Sequence, residues 1–307
     1  MLSKSKNISI NEYLHNRSYW LFRFHIVVKC VEQGHRVLCL RRKESVGKFS
    51  KRVEAKLHWV DKDESCWKET IAHFQPDVLI HCAWEGVSSD SRNDKRVQYH
   101  NLQFFMDLLT LYKYQQIIAL GSQDEYGYLD SIVDENSPLN PETEYARNKV
   151  ACCEQLKALN REYGYEWQWI RVFNIYGEGQ NENWIIPAVI RSCKKGEESF
   201  PTTKGEQRYA YLYVDDFAKA IISIIGQKNK SGIYNLSSAH SITLKELLLT
   251  IKYLMRSNIN FNFGTYPYRS NQSMLICGNS NKFIKTFGEF ENTSLEDGLI
   301  KTIMSVD

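Results

Sequence analysis

Short apolar runs alternating with amphipathic stretches constrain this chain more than any other feature. Residues 37–40 (VLCL), 78–81 (VLIH) and 117–120 (IIAL) each read as a short buried strand. Between the last two, residues 94–112 place Val97, Leu102, Phe105, Leu108, Leu109 and Tyr112 near helical spacing. Strand, helix and strand in this order imply parallel pairing, because parallel strands need a crossover long enough to hold a helix. Such crossovers are right-handed, and helices on both faces give an α/β, doubly wound sheet.

The texture changes after Ile175. Glycine, charge and aromatic residues alternate up to Lys204, followed by YAYLYVDD, a helical pattern over 217–225, the strand-like GIYNLSS and a second amphipathic helix over 244–255. With no repeat and no linker, the expected division is residues 1–174 for the sheet domain. Residues 175–307 then form a smaller substrate lobe interleaved with the last sheet elements.

Composition removes several classes. Hydrophobic residues at 43% and charged residues at 24% exclude a disordered chain. A scattered net charge of +3 does not argue for nucleic acid. No long apolar run suggests a membrane span, and Arg23 and His25 break the one candidate leader segment, around residues 19–28. The eight cysteines contain no C-x-x-C pair, so zinc or another metal is not expected, and the reading is a reduced, cytoplasmic protein.

The strongest local signal for chemistry is Tyr145-Ala-Arg-Asn-Lys149. Pro138 and Pro141 hold an extended approach, and Thr143 is placed to cap a helix. Tyr145 and Lys149 then share one helix face. An ammonium beside a phenol favours the phenolate, the property a general acid/base needs near neutrality. Alone, Y-x-x-x-K is a common surface pair. Its weight comes from Gly121-Ser122-Gln123-Asp124-Glu125-Tyr126-Gly127, which directly follows a strand. A hydroxyl at the C-terminal end of such a strand faces the ligand crevice of an open α/β sheet. Ser122 is thus placed to bond a substrate oxygen while Tyr145 moves its proton.

With EQGHRVLCL, DVLIHCAW, GSQDEYG, YARNK, RVFNIYGEGQ, GEQRYAYLYVDD and GIYNLSS in this order, the chain from about His25 onward resembles the extended short-chain dehydrogenase/reductase family of nucleotide-sugar epimerases, dehydratases and ketoreductases. The resemblance implies a Rossmann sheet and a catalytic triad of Ser122, Tyr145 and Lys149, with Lys149 also holding the nicotinamide ribose. It implies cofactor contacts at Asp61, on the adenine side, and at Ala83. Asn174 resembles the family's substrate-contacting asparagine. The implied partner is a nucleotide-activated sugar, and a homodimer is an assembly common in the family.

Departures from the family pattern narrow the reaction. The 4,6-dehydratases carry an Asp-Glu pair after the catalytic hydroxyl, where this chain has Gln123 and Asp124. A glutamine amide cannot deliver a proton as a carboxylic acid does, which argues against dehydration and leaves Asp124 as a base or substrate contact. The family's R-D-F before Y-V-D-D is altered around Arg208-Tyr209-Ala210-Tyr211, so Arg208 and Arg269 are the candidates for the substrate diphosphate. Arg41 and Arg42, where NAD-preferring sites place an acid, suit the 2′-phosphate of NADP rather than NAD. The expected function is NADP-linked reduction of a nucleotide-bound 4-keto sugar. The alternatives are an epimerase with tightly held NAD, and a cofactor-poor, non-catalytic nucleotide-sugar binder.

One element is missing. The family's T-G-x-x-G-x-x-G loop should precede EQGH, yet its glycine positions hold Arg17, Trp20 and Arg23, and no glycine occurs before Gly34. Read one base out of register, codons compatible with residues 10–24 permit Met-(Asn/Ser)-Ile-x-Ile-Thr-Gly-Ala-Thr-Gly-x-x-Gly, a strand followed by that loop. The expectation is that residues 1–24 are out of frame or remodelled. Asn11, Glu12, His15 and Asn16 are expected to break the first strand, leaving the chain poor in cofactor.

Overall fold

The computed structural model describes residues 5–11, 20–41, 49–88 and 91–306; Glu12, His15, Asn16, Arg17 and Arg42 lie outside them. Strands β1 (Asn7–Asn11), β2 (Arg36–Arg41), β3 (Leu57–Asp61), β4 (Val78–His81), β5 (Gln116–Ser122) and β6 (Glu166–Val172) are linked through helices. These are α1 (Trp20–Glu32), α2 (Lys51–Glu54), α3 (Trp67–Phe74), α4 (Lys95–Leu111) and α5 (Glu144–Tyr163). Next come β7 (Asn174–Tyr176), α6 (Ile185–Lys194), β8 (Ser199–Pro201), β9 (Arg208–Tyr213), α7 (Val214–Ile224) and β10 (Gly232–Leu236). The chain continues with β11 (Ser241–Thr243), α8 (Leu244–Leu254), β12 (Asn260–Asn262), β13 (Leu275–Ile276), α9 (Asn281–Phe287) and α10 (Leu295–Ser305).

Seven strands make one sheet in the order β3-β2-β1-β4-β5-β6-β10, and every pairing in it is parallel. The order turns between β1 and β4, where an open α/β sheet offers its ligand crevice beyond the C-terminal ends of the strands. Period-two alternation buries both faces. Val37, Cys39, Val78, Ile80, Ile118 and Leu120 join one core with α1 and α7, whereas Leu38, Leu40, Leu79, Ile117 and Ala119 join a second with α3, α4 and α5. Asp94 caps α4, and Thr143 caps α5 as the sequence predicts.

The first strand corrects an expectation. It forms over Asn7–Asn11 and takes in Asn11, the first of the residues expected to break it: Ile8 and Ile10 are fully buried, and the segment pairs in register with both β2 and β4. Two alternating isoleucines flanked by these partners suffice for a five-residue central strand. The weak point is Ser9, which faces the opposite side, is buried, and has no hydrogen-bond partner for its hydroxyl.

The remaining strands build a small second sheet from β7, β9, β11 and β13, and a separate β8–β12 pair. Because β10 returns to the large sheet beside β6 after β7 to β9 have left it, the two parts interleave.

Candidate active site

Ser122 ends β5 and begins a 3-10 turn, Gln123–Tyr126. Its hydroxyl accepts from the Asp124 amide at 3.2 Å, while its own amide donates to Glu125 Oε1 at 2.9 Å. The buried Glu125 carboxylate also accepts from Trp169 Nε1 at 2.9 Å and Arg171 Nε at 2.8 Å. Gly121 makes this possible, since a Cβ there would collide with Trp169 Nε1 and Glu125 Oε1. Arg171 reaches on to the Tyr126 hydroxyl, which donates to Asn235 on β10. The serine is therefore anchored from three strands.

Tyr145 and Lys149 lie one turn apart on α5, as their spacing implies. Tyr145 is 5% exposed, its ring edge-on to Trp84 at 5.9 Å, and its amide donates to the Arg92 carbonyl at 2.9 Å. Lys149 is 1% exposed behind it. Its ammonium donates to the Leu120 carbonyl at 2.7 Å and sits 3.8 Å from the centre of the Trp84 indole and 5.8 Å from that of the Tyr145 ring. Burial pushes the Lys149 ammonium down to about 8, against the upward pull of Cys152, Glu125 and Cys82.

A cavity of about 250 Å³ brings Ser122, Gln123, Asp124, Tyr145 and Asn174 together, with Phe22 and Arg92 also on its wall. Gln123 Oε1 and Asn174 Nδ2 are buried there without a protein hydrogen-bond partner, an acceptor and a donor left for something else. A ligand hydroxyl matches both needs, because it gives and takes hydrogen bonds. Asp124 is not a free base: it is ion-paired to Arg92, whose guanidinium lies 4.8 Å from the Tyr145 ring centre. Sequence reasoning missed Arg92, since nothing in SSDSRNDKR marks it; the pairing exists only once the loop after β4 is clamped to α5.

Other expected site residues lie elsewhere. Lys149 and Ala83 are buried and are not on the cavity wall. Arg208 and Arg269 do not line it either. Arg208 is exposed on β9, donating to the Ser241 carbonyl at 2.8 Å with Glu246 at 4.0 Å. Strand alternation turns it away from the face that carries Tyr209. Arg269 is exposed near Tyr209, where its charge opposes the rise that burial imposes on that phenol. Arg41 and Asp61, expected at the ribose and adenine ends of a cofactor, are bound to each other at 2.8 Å. A larger cavity of about 790 Å³, between Ser237 and Leu295, holds none of the expected residues. Among the described residues no group of His, Cys, Asp or Glu is arranged to hold a metal, and no helix is long and apolar enough to cross a membrane.

For a nicotinamide dinucleotide the two ends of the seat disagree. The nicotinamide end fits, with Tyr145 on the cavity wall and Lys149 behind it. The diphosphate end does not. Trp20 opens α1, and Arg23, in its first turn, buries a guanidinium where the family keeps a glycine for close helix–strand packing.

The sequence profile of the NAD dependent epimerase/dehydratase family matches residues 24–237. The dTDP-4-dehydro-6-deoxyglucose reductase of Escherichia coli is 24% identical over 241 residues, 78% of this chain and 75% of that protein. A putative UDP-glucose 4-epimerase of Methanocaldococcus jannaschii is 28% identical over 240 residues, 75% of this chain and 77% of that protein. Among solved structures, the UDP-N-acetylglucosamine 4-epimerase of Methanobrevibacter ruminantium, in complex with UDP-N-acetylmuramic acid, superposes with a TM-score of 0.86 at 21% identity, covering 98% of each chain. The UDP-glucose 4-epimerase of Thermotoga maritima, with UDP-glucose, gives 0.84 at 20% identity, covering 97% of this chain and 98% of that one.

Proposed function

The chain belongs to the NAD dependent epimerase/dehydratase family, and from this premise we propose that its cavity takes the sugar of a nucleotide-activated sugar and works on the oxygen of one ring carbon. The observation that carries this reading is the convergence of Ser122 and Tyr145 on one cavity with the unpartnered Gln123 and Asn174 amides. Ser122 bonds the sugar oxygen. Tyr145 gives that oxygen a proton when a carbonyl becomes an alcohol and takes one in the reverse direction. Lys149 holds a positive charge behind the phenol. Asp124, neutralised by Arg92, leaves the site without the carboxylic acid that dehydration requires. Of the family's reactions, reduction of a 4-keto sugar is favoured and epimerisation is second.

The family's dinucleotide supplies or accepts the hydride of such reactions. Its diphosphate seat is not met by this chain as it stands, so turnover is proposed for a form in which residues before about His25 carry the shifted-frame loop. In that form NADPH should be preferred over NADH, provided Arg41 is drawn from Asp61 to the 2′-phosphate. A charge-assisted contact of this kind is worth about 1.5–3 kcal/mol. Incubating the glycine-restored protein with dTDP- and UDP-4-keto sugars while following NADPH absorbance, and with UDP-glucose while following the configuration at C4, tests the reading. Net oxidation of NADPH supports the reductase, C4 inversion of the 4-hydroxy sugar without net oxidation supports the epimerase, and the absence of both contradicts both readings.

A further inference from the structure

We infer that the adenosine half of the dinucleotide crevice is closed in this chain by a cation–aromatic cluster of its own side chains. The sheet turns between β1 and β4, which places the adenosine half of such a ligand beyond the C-terminal ends of β2 and β3. Arg23, Phe24, Phe49, Trp59, Arg41 and Asp61 gather there.

Arg23 is the centre. It is 1% exposed, although a guanidinium is rarely buried without strong compensation. Its carbon lies 5.6 Å from the Trp59 ring centre and 5.7 Å from that of Phe49, and those two rings are 5.9 Å apart, so cation and rings form a closed triangle. Each side of the triangle is backed. Phe24 stacks on Phe49 at 5.0 Å and 19°. Arg41 covers Trp59 at 4.6 Å and is tied to Asp61 at the end of β3. Trp59 Nε1 donates to Glu54 at 2.8 Å.

A flat aromatic base with a polar edge is the kind of ligand that a ring pair with adjacent charges would hold. Here the guanidinium supplies the cation–ring contacts itself, and Arg41 and Asp61 satisfy one another. The cluster is a built-in occupant, and a dinucleotide would have to expel a buried cation and separate an ion pair to enter. The inference uses the family reading only to say which ligand the crevice would otherwise take.

Two measurements on the full chain test it. The first is calorimetric titration with NADH and with NADPH up to about 1 mM, where free energies weaker than about 4 kcal/mol fall outside reach. Neither should give saturable heat, and saturable binding of either at micromolar concentration overturns the inference. The second is the melting temperature of Arg23→Ala. If Arg23 is an integral part of the cluster, the variant melts several degrees lower. If Arg23 is merely a misfit at a glycine position, the variant melts at the same temperature or higher, and the inference falls. Titrating nucleotide sugars into the same sample reports on the proposed substrate and is read separately.

Discussion

Glu125 holds Ser122 by its main chain: Oε1 of the buried carboxylate accepts the Ser122 amide at 2.9 Å, while Oε2 is gripped by Arg171 Nε at 2.8 Å. The orientation of the serine hydroxyl thus depends on an ion pair that never meets solvent. Removing one member of a buried pair strands the other charge, at about 3–5 kcal/mol. Arg171→Met should lower the unfolding free energy by that amount in urea titration, and Glu125→Gln, which leaves the buried Arg171 guanidinium without its counter-charge, should do likewise. A loss below about 1 kcal/mol in Arg171→Met would show that the pair does not anchor the turn.

The buried Ser9 hydroxyl has no partner, and leaving such a group unmade costs about 1–3 kcal/mol. Ser9→Ala should therefore stabilise the protein, by up to about 1 kcal/mol once the lost packing of the oxygen is allowed for. Thermal denaturation checks the sign. A lower melting temperature would mean that the hydroxyl is satisfied in solution.

Lys149 gives stability a definite pH dependence. Its ammonium titrates near 8 when folded and at its ordinary 10.5 when unfolded, so between these values the unfolded chain binds more protons. Stability contributed by this residue therefore rises with pH across that window and falls as pH drops through about 8. The slope approaches about 1.4 kcal/mol per pH unit for one proton. Lys149→Met should remove it. Denaturant midpoints of both proteins from pH 7 to 10.5 decide the matter, and parallel curves would place the ammonium in a solvated setting.

The phenol of Tyr145 is proposed to carry the proton transfer. In the glycine-restored protein, Tyr145→Phe keeps the ring against Trp84 and loses only the transferable proton. Turnover should drop by at least about 10²- to 10⁴-fold, with the melting temperature changed little. Near-normal rates with phenylalanine would transfer the role to another group.

Much of this architecture is legible in the chain because it follows local rules. VLIH, IIAL and the helix between them declare the parallel sheet, and the spacing of Tyr145 and Lys149 places both on one face of α5. Ser122 at the end of β5 follows from the strand before it. What the sequence hides depends on contacts between distant segments. Arg92 meets Asp124 only through the loop after β4, and Arg41 meets Asp61 only because β2 and β3 lie in register. Arg208 meets the Ser241 carbonyl only because β9 and β11 pair in register. The first strand escapes notice because NISIN offers just two apolar side chains, and its partners supply the rest.

The central claim is that the cavity bounded by Ser122, Tyr145 and Asn174 receives a nucleotide-activated sugar. Its most direct test is calorimetric titration of the full chain with UDP-, dTDP- and CDP-linked hexoses, repeated on Asn174→Leu, which removes the unpartnered amide and closes part of the wall. At least one nucleotide sugar should bind saturably, with a Kd in the micromolar range, and bind at least about tenfold more weakly to the variant, which corresponds to about 1.4 kcal/mol. Saturable binding to neither protein, or equal binding to both, would contradict the assignment of this cavity.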